Sequence, residues 1–263
     1  MDVRIQGQAP ADPFLGAADL FRTEHDLDRP VRVHVREDPD ERTWTAHYDD
    51  HHVLNISRQA ASSAMSRELA LHEFAHMARH EEGHPSHTQS TEEALFLALA
   101  GRSVERRRVV HCYQIANHMK DIYADDITLS LAPADKLVQF LESGVAAAVA
   151  GRADPAPYRG VDDRPGGDHR RVTPTTNPDL AAVNAAFALA LVERHDLVDP
   201  DHRLYDLARV AAGDAAAVSF DSFRRRFRSL ARDPSESDYR RALVDVTREY
   251  AVGSGGDEPR AAD

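Results

Sequence analysis

Apolar and polar residues alternate over 31–35, where the chain reads VRVHV, and strand formers dominate 43–48 (TWTAHY) and 52–57 (HVLNIS). Alternation at a period of two puts successive side chains on opposite faces, so these runs predict two or three antiparallel strands. Asp49 and Asp50 suit a hairpin turn over 48–51. The pattern then changes. From 61 to 79 there is no glycine or proline, and Met65, Leu69, Phe74 and Met77 are spread among alanine and other helix formers. Ser62 or Ser63 is available to cap a helix that follows directly on the last strand.

Residues 81–90 are polar and interrupted by Gly83 and Pro85, which predicts a loop. Ser90 with Glu93 makes a capping box for a helix over 91–100. A longer helix is expected over 103–127, with Cys112, Ile115, Ala116, Met119, Ile122 and Tyr123 as its apolar stripe. Another over 133–150 starts at Pro133 and stops at Gly151. Residues 152–178 hold five prolines and three glycines among Asp, Arg and Thr, the composition of a linker or long loop. Helical periodicity returns over 179–194, 202–212, 219–232 and 235–250. The expectation is an α+β, mainly helical protein with a small antiparallel or mixed sheet: a domain over 1–150, a linker or mobile loop over 151–178, a helical C-terminal region over 179–252 and a disordered tail over 253–263.

The formal net charge of −12 argues against nucleic acid or an anionic membrane as partner, because the field repels phosphate. Only Lys120 and Lys136 are lysine, against 30 arginines, and 29 Asp outnumber 15 Glu. That bias is expected of a halophilic protein, although a GC-rich genome favours the same residues. Cys112 is the sole cysteine, which excludes an intrachain disulfide and a cysteine-based zinc cluster. The N-terminal residues lack a basic start followed by an apolar core, and the most apolar stretches are too short and alanine-rich to span a bilayer. A cytoplasmic location is the expectation.

The chemistry concentrates at His72-Glu73-Phe74-Ala75-His76, an HExxH motif inside the predicted 61–79 helix. Residues four apart share a helix face, so both imidazoles can bind one Zn²⁺ while Glu73 stands beside the ion as general base. A third ligand must come from elsewhere. HExxHxxGxxH is excluded, because Arg79 stands where its glycine would be and Glu82 where its third histidine would be. His80 lies about 12 Å along the axis from His72 and cannot share the ion. His84 and His87 reach it only if the loop folds back. On the 103–127 helix, Asn117, Asp121 and Asp125 lie four apart, and Glu105 falls on the apolar stripe, where a buried carboxylate needs a partner.

The stretches HEFAHMARHEEGH and HCYQIANHMKDIYADDI resemble zincin-like metallopeptidase domains, in which HExxH is followed by a helix of pattern N-x-x-x-D-x-x-x-[ND]. The whole chain also resembles an uncharacterised haloarchaeal family carrying this motif. The resemblance to zincins covers about residues 31–127. It implies a zincin-like core and places the pattern on Asn117, Asp121 and Asp125. Asp121 thereby ranks first as third zinc ligand, Asp125 second and Glu105 third. Tyr123, His111 and His118 are the candidates to donate to a tetrahedral intermediate. The function expected is hydrolysis of an amide in a peptide or protein substrate by one Zn²⁺ ion on His72, His76 and Asp121, with Glu73 as base. The alternative is a noncatalytic zincin scaffold serving as a partner-binding or regulatory module.

Overall fold

A computed structural model of the chain describes residues 1–39, 43–151 and 177–253. Its elements in chain order are β1 (Val3–Gln6), α1 (Asp12–Phe21), β2 (Val31–Arg36), β3 (Trp44–His47), β4 (His52–Ser57), α2 (Arg58–Ala61), α3 (Ser66–Glu81), α4 (Pro85–Thr88), α5 (Thr91–Leu99), α6 (Arg106–Leu131), α7 (Asp135–Ala150), α8 (Pro178–Arg194), α9 (Arg203–Ala212), α10 (Phe220–Arg228) and α11 (Glu236–Val252). The protein is α+β and mainly helical, with one four-stranded mixed sheet among the described residues. None of the described helices is long and apolar enough to cross a membrane.

The strand order is β1-β2-β4-β3. β1, β2 and β4 run parallel, and only β3 is antiparallel to its neighbour, joined to β4 through the expected turn, in which the Tyr48 amide donates to the His51 carbonyl at 2.9 Å. The sheet is therefore mixed, one of the two forms expected, although the strands over 31–57 were read as antiparallel to one another. The reason is that β4 lies between β2 and β3 and runs parallel to β2, so the runs over 31–35 and 52–57 are parallel neighbours; β1, for which the N-terminal pattern gave no signal, adds a second parallel pair on the other side of β2.

The chain forms two compact units. The first contains Met1–Gln89 and Asn117–Ser143; the second contains Ser90–Ala116, residues 144–151 and 177–253. This division does not follow the 1–150 and 179–252 order expected from the sequence, since α6 and α7 each begin in one unit and end in the other. The linker and the tail fall, but for their ends, outside the described residues.

In the first unit, Val31, Val33, Val35, Leu54 and Ile56 of the sheet pack with Phe14, Ala17, Ala18 and Phe21 of α1 and with Ala70, Leu71, Phe74, Met77 and Ala78 of α3. Phe74 meets Phe21 edge to face, with centroids 6.1 Å apart. Burying such rings contributes roughly 2–3 kcal/mol each, and it fixes the roll of α3 so that His72 and His76 face away from the sheet core. The far end of α3 is tied down by Glu81. Its carboxylate accepts from the amides of Asp28 and Arg29 and sits 2.8 Å from His52 Nε2.

The second unit is all helical among its described residues. α8 is its central rod, buried continuously from Leu180 to Val192. Asn177 caps it by accepting from the Leu180 amide. His111 Nδ1 lies 2.6 Å from the Tyr250 hydroxyl, and Arg108 donates to the Tyr250 carbonyl at 2.9 Å, holding α11 to the first turns of α6.

Candidate metal centre

The predicted 61–79 helix is broken in the structure. α2 is a single turn capped by Ser57, which accepts from the Ala60 amide, and α3 begins only at Ser66. Ser63 does not cap α3 at its N-cap position; its hydroxyl accepts instead from the Met65 amide. The HExxH segment lies mid-helix, where Phe74 and Ala75 take the core and His72, Glu73 and His76 are at most 2 % exposed.

α6 brings the third group. Both Asp121 and Asp125 are 0 % exposed, so the polar face of this helix is an interior surface. Arg79 of α3 donates to the Tyr123 carbonyl at 3.1 Å and pins the two helices together beside the site. His72 Nε2 and His76 Nε2 are 2.9 Å apart, and Asp121 Oδ1 lies 3.3 Å from the second and 3.6 Å from the first. A tetrahedral zinc shell with ligand bonds of about 2.0–2.1 Å separates its ligand atoms by about 3.3 Å, so these three atoms stand at the spacing the ion requires. They form the one such group of metal-ligating side chains among the described residues.

The hydrogen bonds around the cluster support the same reading. His72 Nδ1 is 3.0 Å from Asp125 Oδ1. A carboxylate only accepts, so the ring proton of a neutral His72 is on Nδ1 and Nε2 is bare. Neither oxygen of Asp121 has a hydrogen-bond partner among the described residues, although both are buried. Its contacts to His76, His72 and His118, at 3.3, 3.6 and 3.7 Å, are ion-pair distances. A buried carboxylate left in that state is costly. A cation between the three atoms relieves the cost.

Titration follows from the same geometry. Burial pushes the His76 ring down to about 4, with His72 adding to the effect while Asp121 and Asp125 oppose it. The ring is therefore neutral at pH 7, as a ligand must be. Burial alone would raise the Asp121 carboxyl, but a proton on any of the facing His118, His72 or His76 rings outweighs it and holds the group well below the usual carboxylate range.

The remaining candidates separate clearly. Asp125 stands on the outer nitrogen of His72 and orients that ring, away from the three converging atoms. Glu105 was expected on a buried stripe; it is exposed and precedes α6, which starts at Arg106, so it has no unpaired burial to relieve. His118 is buried against Asp121, and Tyr123 is buried with its ring 4.7 Å from that of His84. His111 belongs to the second unit and is engaged with Tyr250.

His84 and His87 were expected to reach the site only by a fold-back of their loop; the loop does fold back, and His87 stands behind His76 rather than among the three converging atoms. His76 Nδ1 lies 2.7 Å from His87 Nε2. The segment 81–90, expected as a loop, turns back on α3 and contains the short helix α4. Gly83, at φ +66°, makes the turn: its amide donates to the His80 carbonyl at 3.1 Å and the His84 amide to the Arg79 carbonyl at 2.9 Å. This paired closure of a helix end calls for a left-handed residue, and Gly83 was its signal in the sequence.

The chain belongs to the family described as "Family of unknown function (DUF5781)", whose model matches residues 1–252. No curated protein and no solved structure matches it.

Proposed function

We propose that the protein is a zinc-dependent hydrolase of the zincin type that cleaves an amide bond, with a peptide as the best-fitting substrate class. The observation that carries this reading is the convergence of His72 Nε2, His76 Nε2 and Asp121 Oδ1 at tetrahedral spacing, with Glu73 next to His72 on the same buried turn. Three protein ligands leave a fourth position, the arrangement of catalytic rather than structural zinc. When bound, zinc lowers the pKa of a coordinated water to about 7 and polarises the substrate carbonyl.

The chain's own residues supply the rest. Asp125 keeps the proton of His72 on Nδ1, so that Nε2 stays free to ligate. Glu73 accepts a proton from the attacking water as the water oxygen bonds to the carbonyl carbon. It then delivers that proton to the leaving nitrogen as the C–N bond breaks. Its near-complete burial strengthens each of these interactions by excluding solvent. For substrate, β4 leads toward the metal helix but is paired on both sides, whereas β3 is the edge strand next to it and can add an extended peptide by main-chain pairing. A small, mainly apolar recess is lined by Met65, Glu68, Leu69, Thr128, Leu137 and Phe140; its Leu69 and Thr128 stand one turn from His72 on α3 and from Asp125 on α6, and it offers an apolar surface to a substrate side chain.

A second reading has its own observation. All three ligands are at most 2 % exposed, which suits a closed, noncatalytic centre on a scaffold that binds a partner. The test is Glu73→Gln, with zinc content and cleavage of a peptide library measured together. The hydrolase reading expects zinc retained and turnover lost. Equal cleavage by both proteins removes Glu73 from the mechanism, and zinc without cleavage in the wild type favours the scaffold.

A further inference from the structure

The donors and acceptors behind His76 can be assigned one at a time, because the chain of contacts ends on a backbone amide. The Ser86 amide donates to His84 Nδ1 at 3.2 Å, and an N–H can only donate, so His84 Nδ1 carries no proton. The Ser86 hydroxyl lies 2.7 Å from the same nitrogen and must give its single proton there. Having spent it, Ser86 Oγ can only accept from His87 Nδ1, also 2.7 Å away. A neutral imidazole carries one ring proton, so His87 Nε2 is bare. It therefore accepts from His76 Nδ1 across 2.7 Å, which leaves His76 Nε2 bare and facing His72 and Asp121.

We propose that His84, Ser86 and His87 form a relay of hydrogen bonds that fixes the tautomer of His76, with His87 as the positioning residue that keeps Nε2 free for a divalent cation. The inference rests on the metal reading above and extends it to a segment outside HExxH. The two histidine ligands are then held by different devices, His72 by a carboxylate on α6 and His76 by α4. Gly83 and the Pro85 start of α4 place this support within four residues of the end of α3. Ser86 is 0 % exposed and His84 8 %, so the link between them is shielded from water, while His87 and its two links are half-buried.

Ring-nitrogen chemical shifts of His76 in the metal-free protein read the proton's position directly. The relay requires a protonated Nδ1 and a bare Nε2; a proton on Nε2 overturns it, whatever the metal affinity. The second measurement is zinc affinity by competition with a chromophoric chelator. His87→Ala should bind zinc about 10–100-fold more weakly, the usual loss when a ligand's supporting partner is removed. His87→Gln, whose amide can accept from His76 and donate to Ser86, should stay within about fivefold of the wild type. A folded His87→Ala protein with wild-type affinity, or a His87→Gln protein as weak as the alanine variant, refutes the relay and leaves the metal centre standing. A wild-type protein that binds no zinc removes both.

Discussion

Asp121 and Asp125 are one turn apart on α6, both fully buried and both against His72, and replacing each by asparagine should have very different consequences. Asp125 Oδ1 meets His72 at Nδ1, 3.0 Å away, whereas Asp121 Oδ1 faces the Nε2 atoms of both histidines. In Asp125→Asn an amide oxygen can still accept the His72 proton. The loss is the difference between a hydrogen bond to a charged acceptor, about 1.5–3 kcal/mol, and a neutral one, about 0.5–1.5 kcal/mol. At about 1.4 kcal/mol per decade this weakens zinc binding about 5–10-fold. Asp125→Ala removes the whole bond and should cost about 10–100-fold. Asp121→Asn removes an anionic ligand from a site with three, and the expected loss is at least about a thousandfold. Chelator competition on the folded variants measures all three. Equal losses for the two asparagine variants would mean that Asp125 also ligates, and a larger loss at Asp125 would reverse the assignment.

Other predictions concern stability. Chelation of the metal should lower the melting temperature in a manner that depends on free zinc, since a ligand bound only by the folded state contributes about 4 kcal/mol at a thousand times its dissociation constant; His76→Ala should melt at the same temperature with and without zinc. His111, in the second unit, is pushed down to about 4 by burial and by Arg107 and Arg108. A lowered histidine pKa makes the folded state the poorer proton binder, so the stability is fully present above about 6.5 and is lost as pH falls from there towards 4. Allowing for solvent screening, the wild type should lose about 2 kcal/mol across that window that His111→Gln does not lose, measured by denaturant melts; parallel pH profiles for the two proteins would contradict this.

The helical half of the fold was legible because its signals are local. Ser90 accepts from the Glu93 amide as its capping box predicts, and Asn177, Ser219 and Ser235 cap α8, α10 and α11 in the same way. HExxH was legible for the same reason, since a spacing of four is geometry within a single helix. What the sequence could not show depends on burial from several sides. The Asp121 and Asp125 face of α6 looks like a solvated stripe, and only packing against α3 makes it interior. Glu105 erred in the other direction, because the stripe was extended past the true start of α6. β1 is four residues of VRIQ, too short to stand out, and it becomes a strand by pairing with β2. The return of α4 onto His76 is foreshadowed by Gly83 alone; which ring nitrogen it serves depends on contacts the sequence does not contain.

The most direct test of the metal centre is the metal content of purified, folded protein, measured by mass spectrometry of the elements after dialysis against zinc and then buffer. One equivalent of zinc per chain is expected, falling to near zero in Asp121→Asn and in the double variant His72→Ala, His76→Ala. Folded wild-type protein that retains no divalent metal, or variants that retain it in full, would contradict the account.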